Sequence, residues 1–124
     1  MRKSDKKIDN QIRAILTELC EVYFEDVPGF KWLTHVVNYA SFPNSLRVIC
    51  VFESKQQVAH FLSLDNQVKV NPLSALSVLN KQLNAIGINT KKLDKLIQYD
   101  SEDCCLHDNH GHWAERIKAR YSFS

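Results

Sequence analysis

Cys104, Cys105, His107, His110 and His112 place five sulfur or nitrogen donors within nine residues, and tetrahedral zinc accepts such donors. A structural zinc site also calls for a Cys-x-x-Cys pair or a second, distant ligand pair, and the chain has neither. Adjacent cysteines in extended backbone point apart, so only one of the two can join His107 with His110 or His112. Cys104, His107, His110 and His112 are therefore a weak metal set. Residues 103–113 are expected to be a surface segment that folds without metal, and no cofactor is expected.

The other reactive types are better explained by packing. Cys20 and Cys50 fall on apolar faces, where free cysteine is commonly buried. His35 sits in an extended segment beside Thr34 and Val36 and acts as a base only if it opens onto a cleft. Asp100, Glu102 and Asp103 lack the spaced oxygen ligands and turn glycine of an EF-hand. The chain has no Gly-rich phosphate loop and no Gly-x-Ser-x-Gly, His-Glu-x-x-His or kinase pattern, so a non-enzymatic protein is expected. Basic clusters are the stronger signal: Lys91, Lys92 and Lys95, then Arg116, Lys118 and Arg120, with Lys3, Lys6 and Lys7 near the start. If they converge, they attract phosphate, with Trp113 or Tyr121 available for base stacking; if they scatter, they confer only solubility.

These residues must be positioned by a chain of 124 residues, 44% hydrophobic and 24% charged, with a net charge of +2. Such a chain makes one domain over 1–124, with neither the composition of disorder nor a charge that announces nucleic acid by itself. Its longest apolar runs, such as Leu46 to Phe52, fall short of the roughly 18–20 residues that span a bilayer, so no membrane association is expected. The N-terminus lacks the apolar core of a signal peptide, so a cytoplasmic protein with reduced thiols is expected.

From Ser4, read as an N-cap, Ile8, Ile12, Ile15, Leu16, Leu19, Val22 and Tyr23 recur at helical spacing, which predicts a helix over 5–26 ended by Pro28-Gly29. Its lysines lie at the positive end of the helix dipole and Glu21, Glu25 and Asp26 at the negative end. This reversal marks either a partner surface or a solvated face. Residues 30–39 and 46–53 read as strands joined by a Phe42-Pro43-Asn44-Ser45 turn into an antiparallel hairpin, the second strand apolar on both faces and hence central. Ser54 with Gln57 forms a capping box for a short helix. Asn71 caps another, with Pro72 at its first position, a stripe of Leu73, Leu76, Leu79, Leu83 and Ile86, and Gly87 at its end. Residues 93–99 read as a third strand, with Leu96 leaving a helical alternative open, 100–112 as a polar loop and 113–121 as a terminal helix. The core is expected from Ile8, Leu16, Val48, Phe52, Phe61, Leu76, Leu83 and Ile97.

Over 5–99 this order, α-β-β-α-α-β, resembles a type II KH domain: an α+β fold with helices packed on one face of a three-stranded sheet, here followed by a C-terminal helix, and without parallel βαβ crossovers. An RNA-binding KH domain grips its ligand through a Gly-x-x-Gly loop. Residues 63–70 carry no glycine and only Lys69, so the likeness is to the glycine-free KH-like adaptors of ribosome-maturation factors and DciA-type helicase loaders. The whole chain, especially residues 1–10 and 29–35, also resembles a small group of bacterial proteins, some of them labelled Fis-like transcription regulators. A Fis-type regulator ends in a helix-turn-helix, whereas this chain ends in a Cys/His segment and one helix. The resemblances imply a cytoplasmic adaptor that binds a protein partner. The alternative is a nucleic-acid-binding regulator using Lys91, Lys92, Lys95, Arg116, Lys118 and Arg120, and a small enzyme is the third reading.

Overall fold

Three segments rich in β-branched and aromatic residues form one mixed sheet, in the order β1 (Phe30–Val36), β2 (Arg47–Phe52), β3 (Ile97–Ser101). The structure, a computed structural model, describes residues 2–121, so Met1 and 122–124 of the expected domain lie outside the described residues. β2 is central and buried on both faces, with Val48, Cys50 and Phe52 toward one and Ile49 and Val51 toward the other. β1 pairs with it antiparallel, as the hairpin reading requires, with a bulge between Phe30 and Trp32. The first strand stops at Val36, and the connection to β2 contains a short 3-10 turn, Tyr39–Ser41.

The third strand is displaced from its expected place. Leu93–Leu96 forms a helical turn, α4, that buries Leu96 completely, and β3 begins only at Ile97. β3 pairs with β2 in parallel, across a crossover made by α2 (Lys55–Leu62) and α3 (Pro72–Ala85). This crossover departs from the expectation of a sheet without one. The fold is α+β with a three-stranded mixed sheet.

Local chemistry explains the helix ends. The first helix, α1 (Lys3–Glu18), continues into a π-helical turn, Leu19–Tyr23. Ser4 lies inside α1 rather than capping it, because the N-cap is Arg2, which makes no side-chain capping bond. Gly29 closes the segment at φ +81°, a left-handed conformation that favours glycine, and a Cβ there would also push aside the end of the Gln57 side chain. The predicted Ser54 capping box and Asn71 cap both form: the Ser54 hydroxyl accepts from the Gln57 N–H, and the Asn71 side chain accepts from the Ser74 N–H, which the Ser74 side chain completes into a second capping box. In α3 the buried stripe is Ala75, Leu79 and Leu83, leaving Leu73 74% exposed instead of in the core.

Helices cover both faces of the sheet, not one. α1, α2 and α3 enclose the main core with Leu16, Val48, Phe52, Phe61 and Leu83 buried, while Ile8, Leu76 and Ile97 pack partly buried against it. The opposite face is covered by α5 (Glu102–Asn109) and α6 (Trp113–Tyr121), so the expected polar loop is largely helical. Ser101 caps α5 by accepting from the Cys104 N–H, Cys105 is buried, and Arg116 draws the two helices onto the sheet. Trp113 meets Trp32 edge to face with ring centroids 4.9 Å apart.

Candidate functional site

The topology carries separated basic segments to one end of the molecule. α1 runs antiparallel to β1: Asp9, near its start, contacts His35 and Tyr39, while Phe24, past its end, stacks on Phe30 at 4.7 Å. Lys3, Lys6 and Lys7 therefore extend beyond the C-terminal end of β1. α6 runs parallel to β1, from Trp113 beside Trp32 to Lys118, which shares a shallow hollow with Val36, Val37, Asn38 and Tyr39. Lys118 thus reaches the same end, whereas Arg120 lies over the ring of Tyr121, whose hydroxyl is bonded to Asp100. The Lys91 N–H donates to Asn44 Oδ1 at 2.8 Å within the β1–β2 connection, and the pairing of Val48 with Ile97 puts the start of β3 there too. Lys91, Lys92 and Lys95 complete the group.

All of these side chains belong to exposed residues, and none makes an ion pair among the described residues. Asp5 and Asp94 are the nearby acids not already sequestered. At the other end lie Glu21, Glu25, Asp26, Glu53, Glu102 and Asp103, with Lys31 and Lys55 among them. Basic side chains that outnumber the nearby acids in this way produce a positive potential at one end.

Arg116 does not join this surface. Its side chain is 3% exposed; Nε and Nη2 donate to the two oxygens of Asp100 at 2.7 and 2.9 Å, and Nη1 donates to Asp108 and Asn109. Burial pushes the Asp100 carboxyl up, but Arg116, the Tyr121 hydroxyl and the Ser101 N–H outweigh it and hold it below its usual range. The proposed stacking residues are also engaged: Trp113 packs on Trp32, and the Tyr121 hydroxyl donates to Asp100 at 2.7 Å.

A second feature is an open cleft of about 760 Å³ between α1 and the outer edge of β1. Asp9, whose side chain is 13% exposed, anchors it. The Arg13 Nε donates to Asp9 Oδ2 at 2.8 Å, the Tyr39 hydroxyl donates to Oδ1 at 3.0 Å, and His35 Nε2 lies 2.8 Å from Oδ1. Burial raises the carboxyl, yet these three partners prevail and bring it down to about 2. The same carboxylate, together with burial, pushes the Tyr39 phenol up to about 12. Cys20 lines the cleft with its thiol raised by burial, and the thiol of wholly buried Cys50 is raised as well, which opposes thiolate chemistry. His35 is thus a sheet-face residue hydrogen-bonded to a carboxylate.

The Cys/His segment is spread over α5 and the corner that follows. His107 pairs with Asp108 and His112 with Glu115, His110 takes the left-handed conformation at the end of α5, and Cys104 is half-buried. Among the described residues no three His, Cys, Asp or Glu side chains come together as a metal site.

The sequence reading missed Asp9 and Tyr39. The Asp9–Arg13 spacing of four residues was a legible signal for a helical ion pair, but the link to His35 exists only in the tertiary structure. Among the described residues no helix is long and apolar enough to cross a membrane. Comparison of the chain with protein-family models, curated proteins and solved structures finds no match.

Proposed function

We propose that the protein is a non-enzymatic binding module, an adaptor that engages a polyanionic macromolecule, nucleic acid first, through its basic end. The observation that carries this reading is the convergence of Lys3, Lys6, Lys7, Lys91, Lys92, Lys95 and Lys118 from three distant segments, exposed and in no ion pair among the described residues. Amines alone recognise phosphate charge rather than base identity, so binding is sequence-tolerant and strongly salt-dependent. The engagement of Trp113 and Tyr121 in the fold agrees with a phosphate grip lacking base stacking.

The resemblance of the sequence to glycine-free KH-like adaptors is the ground for the adaptor class. The grip differs from that of an RNA-binding KH domain. The 63–71 connection meets α3 at Ser74, which is hydrogen-bonded to Tyr23, toward the end opposite the lysines. The non-enzymatic part rests on the cleft, whose one buried carboxylate is held ionised by three partners and whose cysteine is not activated.

Fluorescence anisotropy with labelled duplex DNA, single-stranded DNA and RNA, titrated across salt, tests the reading. Binding at low salt is expected, with log affinity falling linearly against log salt. Replacing Lys91 and Lys92 by alanine together should flatten that slope by about 2. No binding at low salt, or a salt-insensitive affinity, removes the nucleic-acid reading. Recovery from cells of no macromolecular partner removes the adaptor as well.

A further inference from the structure

We infer that the cleft beside β1 is occupied by a second copy of this chain, which pairs its own β1 antiparallel to the first and extends the sheet to six strands. Two independent observations meet here. First, β1 is an edge strand: among the described residues it is hydrogen-bonded to β2 on one side only. The bulge and Lys31 protect only its beginning and leave 32–36 regular; such an edge templates pairing with another strand. The cleft on the α1 side and the hollow on the α6 side meet at Val36, Val37 and Tyr39, so the end of the strand is open on both faces and the cleft runs beside Leu33 to Val36.

Second, the charges of α1 oppose its own dipole but complement those of an antiparallel copy. Residues 2–13 carry Arg2, Lys3, Lys6, Lys7 and Arg13 against Asp5 and Asp9, whereas 14–26 carry Glu18, Glu21, Glu25 and Asp26 and no base. Within one chain this order is unfavourable. A two-fold axis normal to the sheet reverses both β1 and α1, setting the basic half of one helix beside the acidic half of its partner, so that in the dimer Lys91, Lys92, Lys95 and Lys118 remain as the free bases of the basic end. An isologous interface of this kind satisfies each contact twice.

The geometry locates the axis. Asp9 lies against His35 and Phe24 against Phe30, so the midpoint of that helical stretch, near Thr17, lies beside the middle of β1, near Leu33. Arg13, Thr17 and Glu21 all line the cleft, four residues apart, with Thr17 midway. The axis therefore brings Arg13 of each copy to Glu21 of the other and Thr17 close to its own counterpart. A free acidic or basic peptide fits less well, because the rim carries both signs.

Analytical ultracentrifugation of the purified chain over a wide concentration range tests this. A reversible dimer is expected. Glu21→Arg and Arg13→Glu should each weaken dimerisation by about tenfold or more, and the Arg13→Glu, Glu21→Arg double variant should restore it, since like charges across an interface repel and the swap removes the repulsion. Glu21→Arg is the cleaner arm, because Arg13 also bonds Asp9 within its own chain; circular dichroism confirms that each variant is folded. Thr17→Cys in a Cys20→Ser background should cross-link as a symmetric disulfide on oxidation. A chain monomeric at every concentration overturns the inference, as does a dimer indifferent to both single substitutions or a double variant that fails to recover.

Discussion

Two carboxylates, Asp9 and Asp100, lie on opposite faces of the sheet, each held by an arginine and a tyrosine, and solvent separates their roles. Asp100 and Arg116 are both closed off, at 4% and 3% side-chain exposure, and their two-pronged contact fastens α6 to β3. Asp9 is also largely covered, but its arginine is 70% exposed, and the carboxylate borders an open cleft. A buried pair must stay intact, because either partner alone is a stranded charge in a medium that solvates it poorly. A pair with one partner in water can lose that partner to something else. The first arrangement closes a face of the molecule; the second leaves its face open to a newcomer.

The largest expected effect breaks the closed side. Arg116→Ala strands Asp100 and releases Asp108 and Asn109, so a loss of about 3–5 kcal/mol in a urea titration is expected, with the emission of Trp113 changing as α6 loosens. A loss below about 1 kcal/mol would mean that water already reaches Asp100. Next comes Asp9→Ala, which removes the acceptor for Arg13, His35 and Tyr39 at once. About 1–3 kcal/mol is expected, without loosening of α6. Equal costs for both variants would erase the distinction between the faces.

The pH dependence sharpens the contrast from the acid side. Asp9 titrates near 2 in the folded chain, below its unfolded value of about 4. Its contribution is therefore complete above about pH 4 and is lost as the pH falls through about 2, since the unfolded chain takes up the proton first. The stability advantage of the wild type over Asp9→Asn should shrink across this window in thermal melts at successive pH values. An advantage constant down to about pH 2 would contradict the depressed carboxyl.

Elements governed by local chemistry were legible in the sequence. The capping boxes at Ser54 and Asn71, Pro72 at a helix start and the uninterrupted apolar run of β2 each need only near neighbours. α5 was not legible, because Glu102 to Asn109 buries only Cys105 and has no apolar stripe; its order comes from the Ser101 cap and from Arg116, fourteen residues beyond its first residue. Arg116 itself read as one more surface base, since nothing near it in sequence reveals Asp100 across the sheet. The basic clusters were each visible, but their meeting depends on α1 and α6 running in opposite directions, a property of topology that no local pattern encodes.

The smallest expected effect sits on the exposed partner of the open side. In Arg13→Ala, measured at a dilution where the chain is monomeric, Asp9 keeps the Tyr39 hydroxyl and the His35 ring, and the lost guanidinium was already largely in water. Exposed helical ion pairs contribute little against side-chain entropy and salt. The melting temperature should therefore move much less than for Asp9→Ala, and the remaining difference should fade further as salt is raised. A loss comparable to that of Asp9→Ala, persisting in high salt, would mean that Arg13 locks α1 to the sheet as Arg116 locks α6. The cleft would then be closed by its own chain, with Arg13 no longer free to turn toward a partner's Glu21.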